Sequence, residues 1–264
     1  MLIVEEFFAE YNLTHKIYEV LESTQLTARE SLNEIDLGYW YLYTAHQQNN
    51  GFGSNARSWI TKDGNLATSL AFVVDESDFK ITKFLPLVTS FTLHKLLFEF
   101  SLAKISIKWP NDIWFNGKKL AGILVQSVTN IRNNFTGIVI GVGANINTQV
   151  SRIAAQDTVS LKQITGQYFD VNEFAVKLAK NLIADIRILM FEGFSYFVDY
   201  INENLELYYK EKIKIVDNFD KVVISEAVIK KISNDGNLVV LDSSSHELHS
   251  ISNGRIKEIT KGIV

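Results

Sequence analysis

The sequence predicts an α+β fold, in which strands and helices are mixed through a large first region and a small β-barrel follows. Apolar residues recur at helical spacing through residues 81–102 and again through residues 172–191, which indicates two helices that face a core. Beyond residue 209, short β-branched runs alternate with turn clusters, which is typical of five short strands. We therefore expect one domain over residues 1–209 and a second over residues 210–264.

Local patterns predict the other elements in turn. Asn116-Gly117 lies between two apolar runs and predicts a hairpin with a two-residue loop, because both turn positions need positive φ. Asn172 is the predicted cap of the second long helix. The remaining expected elements are strands over residues 15–22, 38–45, 66–74, 105–109 and 136–142 and helices over residues 27–33 and 194–208.

Composition excludes several classes of protein. The chain has 264 residues and no cysteine, which excludes a disulfide scaffold, a thiolate zinc site and a cysteine nucleophile. A net charge of −4 argues against a nucleic-acid partner, since such proteins usually carry a basic surplus. No segment is long and uncharged enough to span a membrane, and the acidic N-terminus does not resemble a secretory signal. We therefore expect a cytoplasmic protein with no membrane partner.

The predicted hairpin brings two opposite charges onto one face. With a two-residue loop, Trp114 pairs with Lys119 and Asp112 pairs with Ala121, so Asp112 and Lys119 are diagonal neighbours. An ammonium beside a carboxylate can hold a phosphate and its Mg²⁺, and Gly122 would let a ligand approach the backbone. An ordinary surface ion pair on a hairpin would produce the same pattern.

Two glycine-containing segments are further candidates for binding. The polar loop over residues 46–58 offers Arg57 for a phosphate, but no amphipathic helix follows it, so a dinucleotide-binding fold is not indicated. Residues 141–145 end a predicted strand, where glycines permit close approach and Asn145 can read a base edge or cap a helix. A plain surface loop and a tight turn are the structural alternatives.

Five segments, taken in order, resemble the biotin–protein ligase family. The segments are Ser23-Thr24-Gln25, residues 48–59, Lys108-Trp109-Pro110-Asn111-Asp112, residues 119–124 and residues 141–145. Their order and separations match the family over about residues 15–260. The resemblance implies a catalytic domain like that of class II synthetases, with a mixed, mainly antiparallel sheet and helices packed on one face. It also implies that the C-terminal barrel is SH3-like.

The same resemblance implies an activity and a set of roles. Biotin and MgATP would form biotinyl-5′-AMP and pyrophosphate, and a lysine of a biotin-carrier domain, such as that of acetyl-CoA carboxylase, would then take the biotin. The implied catalytic residues are Lys119, Asp112 and Arg57, with Asp112 as the Mg²⁺ ligand. The implied biotin contacts are Ser23, Thr24, Gln25, Gln48, Gly51, Gly53, Lys119, Gly122 and Gly141. The implied nucleotide contacts are Arg57, Trp59, Lys108, Asn111 and Asn145.

The chain departs from the family pattern in two places. The family loop usually reads Gly-Arg-Gly-Arg, whereas this chain has Gly51-Phe52-Gly53-Ser54, so two guanidinium groups are missing. We therefore expect weaker retention of the adenylate, unless Lys62 or another basic group compensates. Residues 1–16 are too few for the winged helix that precedes this domain in DNA-binding members, so no repressor function is expected. Because the family often dimerises side by side, a homodimer is a further expectation.

Two alternatives stay open at this point. Lipoate or octanoate ligases and transferases share the catalytic fold, although the intact 108–112 segment and the C-terminal barrel favour biotin. A non-catalytic biotin-binding relic would explain the two missing arginines. The retained Lys119, Asp112, Arg57 and Lys108 argue against such a relic.

Overall fold

The structure is a computed structural model that describes residues 1–54, 57–59, 61, 63–101, 105–129, 131, 134–153, 156–206, 213–217 and 221–258. In chain order, its first strands and helices are β1 (Leu2–Phe8), β2 (Leu13–Leu21), α1 (Thr24–Glu30), β3 (Trp40–Gln48), β4 (Leu66–Asp75), α2 (Leu85–Ser101), β5 (Ile105–Lys108), β6 (Asp112–Phe115), β7 (Lys118–Val128) and β8 (Phe135–Ala144). They are followed by β9 (Arg152–Ile153), β10 (Gln156–Asp157), α3 (Leu161–Thr165), α4 (Val171–Glu192), α5 (Ser195–Glu203), β11 (Ile213–Val216), β12 (Val222–Ile232), β13 (Leu238–Asp242), β14 (Leu248–Ile251) and β15 (Arg255–Glu258). The expected domain boundary at residues 209–210 and the basic residue Lys62 lie outside the described residues.

The first region is built on one eight-stranded sheet in the order β1-β2-β3-β4-β8-β7-β6-β5. Only β2 and β3 run parallel within it, and the other neighbouring strands pair antiparallel. The sheet is therefore mixed and mainly antiparallel, as the sequence predicts. β4 and β8 pair along their full lengths, from Leu66 opposite Ala144 to Asp75 opposite Phe135.

The two faces of this sheet carry different helices, because successive strand residues point to opposite sides. Leu70 and Phe72 of β4 belong to the large core that also contains the buried residues of α2 and α4. Ala71, between them, belongs to a smaller cluster with Ala28 and Leu32, which come from α1 and the 3-10 helix after it. The long helices thus pack on one face, as expected, while α1 covers part of the other face and leaves room beside it for a cleft.

The hairpin has the predicted turn but a different register. Asn116 and Gly117 adopt φ of 48° and 76°, as a two-residue loop requires. Trp114 pairs with Lys119 as expected, but a bulge follows, and Asp112 pairs with Gly122 instead of Ala121. The expected pairing of Asp112 with Ala121 is therefore wrong, because the extra residue shifts every pair beyond the bulge by one position.

Other boundaries differ from the predicted ones for local reasons. Asp170, and not Asn172, caps α4, because its carboxylate accepts hydrogen bonds from the backbone N–H of Asn172 (2.8 Å) and Glu173 (3.0 Å). α5 ends at Glu203, earlier than expected, because the backbone of the next residues pairs with Ile107 of β5. β1 was not expected at all, since its residues are mostly exposed and show no alternation.

The described C-terminal residues form five strands, the number that the sequence predicts, although β12 has 11 residues and is longer than expected. They make one antiparallel sheet in the order β14-β13-β12-β11-β15. Asn202 of α5 joins this sheet to the first region, since its side-chain amide donates to Ile232 O (3.1 Å) and accepts from Ile232 N (2.7 Å). Among the described helices, none has the length and apolar character needed to cross a membrane.

His15 in the second strand is a fully buried titratable group. Its Nε2 lies 2.9 Å from Thr44 Oγ1, and its Nδ1 has no partner in the described part of the chain. Burial lowers the pKa of His15 from 6.5 to about 4. Protonation therefore favours the unfolded chain, whose histidine has the higher pKa.

We expect the free energy of unfolding to fall as the pH drops from about 6.5 towards 4. Linkage assigns about 2 kcal/mol of this loss at pH 5 to His15. Urea unfolding at pH 7 and pH 5 measures this loss of unfolding free energy. In a His15→Asn variant the loss should be smaller than in the wild type by about this amount. Equal losses in wild type and His15→Asn would contradict the assignment.

Candidate active site

One cleft of about 490 Å³, counted with its solvent-open part, lies between α1, the loop after β3 and the strands β4, β6, β7 and β8. It gathers most of the residues that the sequence selects. Those that line it are Ser23, Thr24, Gln25, Gln48, Gly53, Trp59, Asn111, Asp112, Lys119, Gly122 and Gly141. Segments that are far apart in the chain therefore meet in one place.

An uncharged polar network forms one end of the cleft. Ser23 is the N-cap of α1, and its Oγ accepts a hydrogen bond from Gln25 N (3.2 Å), which directs the start of the helix towards the sheet. Gln48 Oε1 accepts from Thr24 N (2.7 Å), and Gln48 Nε2 donates to Thr61 Oγ1 (2.9 Å). Because these polar groups are tied to one another, they are fixed before any ligand binds.

A charged pair forms the other end. Lys119 Nζ lies 2.7 Å from Asp112 Oδ1, and both side chains are about one-fifth exposed. Gly122 is opposite Asp112, and a Cβ there would lie 3.0 Å from Lys119 Nζ, so the glycine leaves the room that the ammonium occupies. The backbone and side chain of Asn111 both bind Ile123 and thereby fix the turn that leads into β6.

The loop after β3 folds back over the cleft. Trp59 N donates to Gly51 O (2.8 Å), and Gly53 N donates to Arg57 O (2.7 Å). The Trp59 ring packs on Gly143, where a Cβ would lie only 2.3 Å from Trp59 Cε2. Its Nε1 is buried and has no hydrogen-bond partner among the described residues. The ring can therefore donate one further hydrogen bond.

Four selected residues do not line the cleft. Arg57 is exposed, and Gly51 lies under Trp59 and Gln48, where a Cβ would be 2.5 Å from Trp59 O. Lys108 Nζ lies 3.7 Å from the centroid of the Trp114 ring. Asn145 is buried: its Oδ1 accepts a hydrogen bond from Asn65 Nδ2 (3.4 Å), and its Nδ2 donates to Val159 O (3.4 Å). The expected nucleotide contacts of Arg57, Lys108 and Asn145 and the expected biotin contact of Gly51 stay predictions.

Several cleft residues were not selected from the sequence. Ser69 and Gly143 line it, as do Phe52 and Ser54, which were noted only for standing in place of two arginines, and Gln126 contacts Gln25 from outside. Ser69 had a visible signal, because Thr68 and Ser69 are adjacent polar residues within a strand that is otherwise apolar from Leu66 to Val74. Gln126 had none, since its contact with Gln25 joins positions 101 residues apart.

The donor set fits a phosphate-bound magnesium ion better than a metal held by protein alone. The described residues contain no group of three or more histidine, aspartate or glutamate side chains that could hold an ion. Mg²⁺ usually binds one or two carboxylates together with substrate phosphates, and Asp112 at the charged end offers one. The cleft can thus accept a ligand with a neutral polar head and an acidic end.

A Gly143→Ala substitution should displace the Trp59 ring, because the added methyl group overlaps its Cε2. The other tryptophans are 3% to 6% exposed, so stronger acrylamide quenching of tryptophan fluorescence would report Trp59. Gly53→Ala is the control, since its nearest neighbour would be 3.8 Å away. Unchanged quenching in Gly143→Ala would show that the ring does not depend on this glycine.

Comparison with known proteins points to one family. Residues 17–145 match the family model described as "Biotin/lipoate A/B protein ligase family". The bifunctional ligase/repressor BirA of Bacillus subtilis (strain 168) is 31% identical over 160 residues, which is 59% of this chain and 49% of the relative. The biotin--[acetyl-CoA-carboxylase] ligase of Paracoccus denitrificans is 29% identical over 164 residues, which is 60% of this chain and 67% of that protein.

The fold is also similar to that of a solved biotin protein ligase. The biotin protein ligase from Aquifex aeolicus in complex with biotin and ATP superposes with a TM-score of 0.76 at 24% identity, covering 92% of this chain and 97% of that one. This chain spans about half the length of the Bacillus relative that it matches. Residues 17–145, which carry the cleft, therefore match the biotin/lipoate A/B protein ligase family in sequence, and the sheet around the cleft matches a biotin protein ligase in fold.

Proposed function

We propose that this chain is an ATP-dependent biotin–protein ligase, which activates biotin as biotinyl-5′-AMP and transfers it to a lysine of a biotin-carrier domain. The observation that carries the proposal is the single cleft with a neutral polar network at one end and the Lys119–Asp112 pair at the other. Biotin has a neutral ureido head and a carboxylate tail, so its two ends match the two ends of the cleft. The name of the Paracoccus relative supports a carboxylase carrier domain as the acceptor.

In the first step, an oxygen of the biotin carboxylate attacks the α-phosphorus of ATP, and the bond to pyrophosphate breaks. Lys119 would hold the carboxylate beside the α-phosphate and neutralise the charge that develops there. Arg57 and Lys108 would bind the departing pyrophosphate, and Trp59, Asn111 and Asn145 would contact the adenosine. Magnesium held by the phosphates and Asp112 would offset part of the phosphate charge.

In the second step, the neutral amine of the carrier lysine attacks the carbonyl carbon of the mixed anhydride. The bond to AMP breaks, an amide forms, and the amine gives up one proton. Nine residues would hold the biotin throughout, as the resemblance implies: Ser23, Thr24, Gln25, Gln48, Gly51, Gly53, Lys119, Gly122 and Gly141. Holding both reactants in one cleft replaces a bimolecular encounter with an oriented one.

The proposal extends to the organisation of the protein. Residues 210–264 would form a separate SH3-like domain, and the amide of Asn202 on Ile232 supports a fixed contact between it and the first domain. A cytoplasmic location and a homodimer belong to the same proposal.

Lys119→Gln should lower biotin-dependent exchange of labelled pyrophosphate into ATP by about 100-fold or more, because it removes the charge at the reacting centre. Lys118→Gln is the matched control, since that neighbour is exposed and lies outside the cleft, and it should keep wild-type exchange.

The same assay separates the alternative functions when it is run with biotin, lipoate and octanoate. Exchange with lipoate or octanoate but not with biotin would favour the related ligases and transferases. Binding of biotin with no exchange in the wild type would favour the non-catalytic relic.

A double variant with Phe52→Arg and Ser54→Arg should release free biotinyl-AMP about tenfold more slowly than the wild type, or slower still. The reason is that each charge-assisted hydrogen bond to a phosphate stabilises binding by about 1.5–3 kcal/mol. Both residues line the cleft, so the new guanidinium groups would reach the adenylate. The release rate can be followed by rapid filtration without a carrier domain. Equal release from wild type and the double variant would rule out weak retention as the result of the missing arginines.

A further inference from the structure

The closed, uncharged end of the cleft depends on the side chain of Gln25. This residue is 3% exposed, and its amide makes three hydrogen bonds to other segments. Gln25 Nε2 donates to Gln126 Oε1 (3.2 Å) and to Val139 O (3.3 Å). Gln25 Oε1 accepts from Ser69 Oγ (3.0 Å). The donors of this amide therefore point away from the cleft, and its acceptor points towards it.

The orientation of the amide follows from the chemistry of its partners. Val139 O is a backbone carbonyl and can only accept, so the Gln25 atom beside it must be the nitrogen. The second N–H of that nitrogen then needs an acceptor, and Gln126 Oε1 supplies it. Gln126 lies on β7 outside the cleft, so it acts on the cleft only through Gln25.

The glycine at position 141 fixes where the side-chain oxygen of Gln25 lies. It lies only 2.4 Å from the position that a Cβ on Gly141 would occupy, so the glycine leaves the space that this oxygen fills. Ser69 Oγ is placed to donate to Gln25 Oε1 (3.0 Å) and to Thr24 Oγ1 (2.9 Å), and the Thr24 hydroxyl donates to Gln48 Oε1 (3.2 Å), so the hydroxyl protons are used within the network. The end of the cleft consequently offers oxygen lone pairs and few free donors.

We propose that Gln126 is a positioning residue for the acid substrate: it holds the Gln25 amide with its oxygen in the cleft and so selects a head group that donates N–H hydrogen bonds. This inference rests on the proposed function, because the cyclic urea of biotin is such a head group. The dithiolane of lipoate and the alkyl end of octanoate have no N–H. They would dehydrate the acceptors of Gln25, Thr24 and Ser69 without replacing the lost hydrogen bonds.

The test compares Gln126→Met, which keeps the length of the side chain but removes the acceptor, with Gln126→Glu, which keeps an acceptor. Titration calorimetry without ATP gives the Kd for biotin, and steady-state kinetics gives the KM for biotin and for ATP. Gln126→Met should weaken biotin binding about tenfold and raise the KM for biotin, with the KM for ATP and kcat unchanged. Gln126→Glu should stay within about twofold of the wild type.

Two further measurements separate a specific effect from a general one. Desthiobiotin keeps the cyclic urea but lacks the sulfur ring, so its affinity for Gln126→Met should fall by the same factor as that of biotin. Gln167→Met, at an exposed position, should change neither Kd.

The inference would be overturned if wild type and Gln126→Met bound biotin with equal affinity. It would also be overturned if Gln126→Met and Gln126→Glu lost the same amount of biotin affinity. A loss for biotin alone, without one for desthiobiotin, would overturn it as well. A wild-type protein that binds no biotin would instead overturn the proposed function, so the two failures are distinguishable.

Discussion

The ion pair between Lys119 and Asp112 depends on a single irregularity in a hairpin. Without the bulge, Asp112 would face Ala121, and the methyl group would occupy the space beside the ammonium. With it, Leu120 and Ala121 both turn into the core, and Gly122 comes opposite Asp112. A Cβ at Gly122 would lie 3.0 Å from Lys119 Nζ and 3.4 Å from Asp112 Oδ1, so the glycine keeps a tight contact away from the pair, whose atoms are 2.7 Å apart. The extra residue thus adjusts the sheet to the charges, as bulges near functional sites often do.

Glycines line the sheet face between the charged end and the neutral end of the cleft. Gly122 pairs with Gly143, and Leu124 pairs with Gly141, so Gly141 and Gly143 lie on the face that carries Asp112. Each of the two leaves space for a neighbour, Gln25 at Gly141 and the Trp59 ring at Gly143. Glycine inside a strand lowers the stability of the fold. Here the missing Cβ atoms let side chains from α1 and from the loop after β3 reach the strand backbone. A flat sheet surface becomes a cleft because these Cβ atoms are missing.

The sequence predicts what depends on neighbours in the chain. The Asn116-Gly117 turn and the periodic residues of α4 were visible locally, and the hairpin pattern predicted the meeting of Asp112 with Lys119, although from a regular register. The start of α1 at Thr24 was not predicted, since the expected helix covered residues 27–33. The bulge was not predicted either, because its register also depends on β8, the next strand of the sheet. Contacts such as Gln25 with Gln126 depend on three strands and a helix that only the folded sheet brings together.

The strand next to the charged end also forms backbone hydrogen bonds along its outer edge. Strand β5 is last in the sheet, and an exposed edge would let Lys108 and its turn move. Here Ile107 N donates to Asn204 O (2.8 Å), and Glu206 N donates to Ile107 O (2.7 Å), so residues 204–206 cover that edge. The Glu206 carboxylate also accepts a hydrogen bond from Ser106 Oγ. These residues follow α5, whose Asn202 binds the C-terminal sheet, so the strand before Asp112 and the C-terminal region are fixed by the same short segment. A substitution that loosens this segment would therefore act on the charged end of the cleft without touching a ligand.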